Sequence, residues 1–430
     1  MNSNIQVPDR LTVYLHVAIP TCKENQPLAL SLKHKVKRLM RQPLDWLAWS
    51  WNHSFIFKGY NYNRVIYSNR GDIAIKLAIK ELLLQSLNGY AVEFIESEWG
   101  HLDAPTLERI NQRAALFVIA GGGYWVFSQS RTLSPSFMAD SPYLEQMRCP
   151  VVVLGSGVNF NLPSADAVLD SCIGQELKDA LLRFDQQVSL FAVRGKSSLE
   201  FLHAVGLQKP QLLCDPAIFK QFERMPAHTT KDNADSLAIG INFAFHGSFV
   251  EQLFKKNIVM YIAFLKVIAE KFSPRFYYFI HSDEEFLVAK ILQSSGLKIE
   301  VVDVPANDLT GAYTQIDVLV CQMMHSNILS FAAGVPALNI AYDSKNFGFN
   351  ELIGMQHYCV SACTVTLDQL VEKMTELIGH RTELGRNLVV RKSGLETQMN
   401  LVLSQIRALV LDQRVGAFNQ EEQGRRWNQG

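Results

Sequence analysis

The chain has 430 residues and carries 41 Lys plus Arg against 41 Asp plus Glu, so no global field draws it to nucleic acid and any anion site must be local. Hydrophobic residues make up 48% and charged residues 19%, which excludes a disordered chain, and the length allows two domains. Seven cysteines, odd in number and with no CxxC pair, argue against a disulfide framework and a zinc site and fit a reducing cytoplasm.

The first apolar run, Leu11 to Pro20, is short, contains His16 and lacks the basic lead-in of a secretory leader. No apolar stretch reaches the roughly 18 residues of a membrane span. Residues 30–57 stand apart, with Lys33, Lys35, Lys37, Arg38 and Arg41 ahead of Trp46, Trp49 and Trp51. Basic residues beside tryptophans suit a membrane surface, at the inner face for a cytoplasmic protein; the alternative is packing on the protein's own body or a partner subunit. Residues 1–63 are read as an N-terminal extension.

From Arg64 onward apolar strand-like runs alternate with amphipathic segments, the pattern of a parallel sheet covered on both faces. "RVIYS" (64–68), "AVEFIE" (91–96), "ALFVIA" (115–120), "PVVVLGSG" (150–157), "SLFAVRG" (189–195) and "QLLCD" (211–215) are the strands, giving a first Rossmann-like domain over 64–222. Helices are expected near 103–113, 175–187 and 197–205. The polar stretch 223–236 lacks periodicity and reads as a linker. A second Rossmann-like domain, 237–380, follows with "LAIGINFAF", "FYYFIH", "IEVVDV", "DVLVC" and "ALNIAY". A long helix is expected over 381–413 and a polar, frayed tail over 414–430. The fold class is therefore α/β, two doubly wound domains facing a cleft, with ligands at the carboxyl ends of the strands.

Those strand ends present the chemistry. Arg70, Gly71 and Asp72 follow the first, where Asp72 suits either the site or a helix cap. Gly121, Gly122 and Gly123 leave amides free of side-chain bulk, as an anion or a sugar ring requires. Arg194 ends a strand and Lys196 opens a helix, a receptor for carboxylate or phosphate. Asp215 faces the cleft or caps a turn. The second half offers His246, His281, His325 with Ser326, and Lys345 beside Asp343. No two of the histidines have metal-ligand spacing and no GxSxG elbow is present, so neither a metal nor a serine triad is expected.

"NRGD" (69–72), "AGGG" (120–123), "VLGSGV" (153–158), "VRGKSSLEFLHAVG" (193–206), "CDPAIF" (214–219) and "DVLVCQMMHSNILSFAAGVPALNIAYDSK" (317–345), in this order, resemble the polysaccharide pyruvyl transferase family. The resemblance covers about residues 64–355 and implies a GT-B-like fold and no cofactor. It implies transfer of the enolpyruvyl group of phosphoenolpyruvate to a cell-surface glycan or its lipid-linked oligosaccharide precursor, as a pyruvate ketal. It also implies that His325 is the acid, that Arg194 holds the donor and that the helix opened by Ser326 holds its phosphate. From their strand-end positions Arg70, Gly121, Gly122, Gly123, Lys196 and Lys345 are expected to complete the anion site. Asp72, Asp215, His246 and His281 are expected on the acceptor side. The family pattern Arg-x-His reads Met323-Met324-His325 here, which removes a cation worth about 1.5–3 kcal/mol of charge-assisted bonding. The alternatives are a transferase using a nucleotide-activated sugar or other anionic donor, and a non-catalytic member of the family.

Overall fold

The computed structural model describes residues 10–24, 36, 69–126, 134–159, 173–223, 237–245, 248–282 and 285–427. The run 64–68, the segment 30–57 apart from Val36, and His246 lie outside the described residues.

The first sheet is wholly parallel, in the spatial order Ala91–Glu98, Arg10–Val17, Ala114–Ala120, Val151–Ser156, Leu190–Arg194 and Pro210–Leu213. Its second position is taken by Arg10–Val17, inside the segment expected to be an extension. The first domain thus begins by residue 10 rather than at 64. The run Leu11–Val17 reads as a strand for a physical reason: all but one of its side chains are buried between sheet neighbours on both sides.

The second sheet runs Ile299–Val302, Arg275–Phe279, Ala238–Asn242, Val318–Cys321, Ala337–Ala341 and Cys359–Ser361, again all parallel. In sequence terms this is the 3-2-1-4-5-6 order of a doubly wound domain. Its central strands are apolar runs with every residue buried, such as VLVC and AIGIN. Each fully buried Val, Leu or Ile contributes about 1.5–3 kcal/mol. In both sheets the order reverses beside the first strand of the domain, and the loops at those reversals face each other.

One helix, Leu367–Trp427, spans 61 residues and joins the two domains. It starts before the expected 381 and stays helical through Trp427, into the stretch expected to fray. Leu388, Leu395, Met399, Val402, Leu403, Ile406 and Val410 form its buried stripe at helical spacing. On the second domain Lys392 Nζ donates to Ala332 O at 2.9 Å and Arg391 Nε to Leu352 O at 2.7 Å. On the first, Leu403 O accepts from Ser86 Oγ at 2.8 Å and Arg407 Nη1 donates to Ser86 O at 2.5 Å. No helix of the described residues is long and apolar enough to cross a membrane.

Candidate active site

A cavity of about 260 Å³ lies between the carboxyl ends of the two sheets. The first domain lines it with Asn69, Asp72, Trp99, Gly123, Asn159 and Arg194. The second supplies Met323, Met324, His325, Tyr342 and Lys345, with Ala244 and Val250.

Two helices start at this cavity. Arg70–Ser86 opens after Asn69, and Met324–Ala332 opens after Met323; neither N-cap residue makes a side-chain cap bond. Uncapped N-termini leave amides and the positive end of the macrodipole toward the cleft. They meet through a glycine: a Cβ on Gly71 would stand 1.9 Å from His325 Nδ1. The absence of that carbon lets the histidine of one domain lie on the helix backbone of the other.

His325 Nε2 sits 3.6 Å from Asp72 Oδ1. Asp72 is not the helix cap: it stands in the first turn and accepts from Asn69 Nδ2 at 2.6 Å. Burial pushes its carboxyl up to about 6, with Asp215 acting in the same sense and Arg194 and Lys345 against it. Burial, then Arg194, His281 and Lys345, push the His325 imidazole well below its ordinary range. In the free site the histidine is neutral, and the proton available near pH 6 belongs to the carboxyl.

Arg194 is buried at the end of its strand, ion-paired with Asp215. Lys345 Nζ reaches Asp343 Oδ2 at 3.5 Å and Asn159 Oδ1 at 3.5 Å across the cleft. The Asp343 charge, with Tyr342, holds its ammonium above the usual range despite burial, the largest influence and an opposing one. Both cations therefore face the cavity already matched by a carboxylate behind them.

Several expected site residues are placed elsewhere. Arg70 turns away, bonding Ile280 O at 2.9 Å and pairing with Asp303 of the second domain. Lys196 is half-exposed on the outer rim, paired with Glu351 at 3.0 Å. The Gly121 amide is used by Leu154 O and the Gly122 carbonyl by the Gly157 amide, so of the three glycines only Gly123 lines the cavity. The Ser326 hydroxyl is buried against Tyr313 at 2.6 Å. Asp215 caps the turn Pro216–Phe219, its Oδ1 accepting from Ala217 N at 2.9 Å, and is buried with Arg194 rather than open to an acceptor. His281 is a core residue bonded to Tyr313 OH at 2.7 Å, pushed down to about 3 by burial and by Arg70. These residues were chosen for standing at strand ends, which fixes the backbone but not which way each side chain turns. Trp99 and Asn159 went unnoticed; the same strand-end rule, applied to Ala91–Glu98 and Val158–Asn159, points to both.

The polysaccharide pyruvyl transferase family model matches residues 31–344, most of the chain and all of the cavity-lining residues except Lys345. The chain belongs to the polysaccharide pyruvyl transferase family. No curated protein sequence matches it. Among solved structures, this pyruvyl transferase family member is similar to the UDP-GlcNAc 2-epimerase of Neisseria meningitidis bound to UDP-GlcNAc. That likeness has 10% identity and a TM-score of 0.50, over 93% of this chain and 99% of that one. It is also similar to S. aureus MnaA with UDP, at 10% identity and a TM-score of 0.44, over 89% of this chain and 90% of that one. At such identity the likeness is one of fold: two doubly wound domains across a cleft, the GT-B arrangement.

Proposed function

We propose that this chain transfers the enolpyruvyl group of phosphoenolpyruvate to two hydroxyls of a glycan, forming a pyruvate ketal and releasing phosphate. The observation that carries this is the cavity itself: small, and with Arg194 and Lys345 beside the His325–Asp72 pair. Two cations and two uncapped helix N-termini suit a donor that carries both carboxylate and phosphate.

The chemistry assigns each group a task. A proton goes to the methylene carbon of the donor while one sugar hydroxyl adds to the neighbouring carbon. The second hydroxyl then displaces phosphate at that carbon. Of the two hydroxyl protons, one is balanced by the new methyl group and the other leaves with phosphate. His325 delivers the proton to carbon, with Asp72 as its neighbouring store. The negative charge of a bound donor raises both groups, so the proton that the free site holds weakly is held more firmly when it is needed.

Met323 favours a second reading. It places a thioether where the family has an arginine, and the remaining cations are matched by Asp215 and Asp343. A less highly charged donor fits that balance better than trianionic phosphoenolpyruvate. Incubation with phosphoenolpyruvate and a glycan panel, following phosphate and the mass of the glycan, separates the two. The first reading expects stoichiometric phosphate and ketal, lost by at least about a hundredfold in His325→Ala. No phosphate release, with stabilisation by a nucleotide-sugar instead, sinks it.

A further inference from the structure

Trp99 is the largest aromatic side chain among the described residues that line the cavity, and the proton and anion chemistry above gives it no task. It follows strand Ala91–Glu98, is half-buried, and lines the cavity beside Asn69, Asp72 and Asn159. Its placement is tightly specified. The backbone amide donates to Val17 O at 3.0 Å, and Nε1 donates to His16 O at 2.9 Å. One side packs edge-on against Tyr124, with ring centroids 5.4 Å apart. Another lies on Gly122, where a Cβ would stand 2.5 Å from the indole Cη2 and where φ is +66°. The chain gives up a side chain at that point to seat the ring.

Behind Trp99 lies a buried network. Asp140 Oδ2 meets His16 Nε2 at 2.7 Å and accepts from Tyr124 OH at 2.8 Å and Gly100 N at 2.7 Å; Oδ1 accepts from Leu102 N at 3.0 Å. His16 Nδ1 is bonded in turn to Ser97 Oγ at 2.9 Å. Burial works to raise the Asp140 carboxyl, but His16 and the two amides outweigh it and hold it below its usual range. A buried carboxylate with this set of partners fixes the loop that carries Trp99 on both sides of the indole.

The consequence is specific. The only polar atom of the indole is bonded to the chain, so what remains for the cleft is apolar π surface. Left in water, that surface is unfavourable, and covering it is the hydrophobic part of binding. The C–H face of a pyranose covers it and leaves the sugar hydroxyls for neighbouring acceptors. Polar side chains are at hand: Asn69 and Asn159 line the cavity beside the indole.

We propose that Trp99 is the platform on which the acceptor pyranose stacks, and that the His16–Asp140–Tyr124 network is the positioning device that holds it. The proposal rests on the transferase reading in that it takes the ligand to be an acceptor sugar, but binding can be measured without donor. Saturation-transfer NMR with methyl β-galactopyranoside, methyl β-glucopyranoside and methyl α-mannopyranoside compares the wild type with Trp99→Leu and Trp99→Phe. The expected result is transfer to ring C–H protons of at least one pyranoside in the wild type. Affinity falls at least tenfold in Trp99→Leu and is partly kept in Trp99→Phe, with both variants checked to be folded by circular dichroism. Asp140→Asn raises the acceptor KM while leaving the donor KM in place. Equal pyranoside binding by Trp99→Leu overturns the proposal, as does a wild type that binds none of the three. Failure of the transferase reading looks different: no phosphate release from phosphoenolpyruvate, whatever the pyranosides do.

Discussion

Met323 and Gly71 are the two residues on which the His325 site turns. Met323 lines the cavity at the start of a helix, where an arginine would add a charge-assisted contact to an anionic donor. If the donor is phosphoenolpyruvate, Met323→Arg lowers its KM about tenfold or more, since one such bond is worth about 1.5–3 kcal/mol. A raised KM in steady-state assays means that the pocket is built for another donor. Gly71 works by what it lacks. A methyl group there collides with the His325 ring at 1.9–2.1 Å and with its Cβ at 2.5 Å, so side chain or helix must shift. Displacement by about 1 Å typically costs a hundredfold in rate, and Gly71→Ala is expected to lose at least that much kcat while still folding. Wild-type turnover in this variant would remove His325 from the chemistry.

At the scale of elements, the cleft is held by contacts between its two walls. The helix Arg70–Ser86 sends the guanidinium of its first residue to Ile280 O and Asp303, and the Arg70 amide itself donates to His281 O at 3.0 Å. Arg70 is largely shielded but Asp303 is exposed, so solvent screens the ion pair and the bond to Ile280 O carries more of the contact. Arg70→Met is expected to cost about 1–3 kcal/mol, seen as a lower denaturation midpoint, together with weaker catalysis because the Asp72–His325 approach loosens. An unchanged midpoint would make Arg70 a bystander. The contrast with Lys196 is instructive. Both basic residues stand at the start of a helix, yet one is a largely shielded strut across the cleft and the other a solvated rim pair.

Over the whole molecule, buried titratable groups couple stability to pH. His281 is held neutral down to about pH 3, and His325 is depressed as well, whereas the unfolded chain takes up both protons near 6.5. Their contribution is fully present above pH 6.5 and is lost as pH falls toward 3. Asp72 acts in the opposite sense. Its native carboxyl keeps a proton up to about pH 6 against 3.8 when unfolded, so its contribution is present below 3.8 and lost as pH rises through 6. Two groups oppose one, and denaturant midpoints are expected to be lower at pH 5 than at pH 7. His281→Asn should narrow that difference; an unaltered gap would place the linkage elsewhere.

The alternation of apolar runs and amphipathic segments was enough to determine two parallel α/β domains. The helices expected near 103–113, 175–187 and 197–205 stand at Ala104–Arg113, Gln175–Gln187 and Lys196–Val205. Buried parallel strands are apolar along most of their length, and that pattern is written locally. Arg10–Val17 escaped because its partners in the sheet are 81 to 103 residues away, and nothing beside it announces a strand. The order of motifs likewise placed His325, Arg194 and Lys345 at strand ends. Which strand-end side chains meet was a tertiary matter. Asp72 reaches His325 only because two domains close over Gly71, and Arg70, two residues earlier on the same helix, points elsewhere because successive helical residues lie about 100° apart, so these two lie about 200° apart. Residue type and backbone position are properties of the sequence, whereas the direction of a side chain across a cleft depends on the opposite wall.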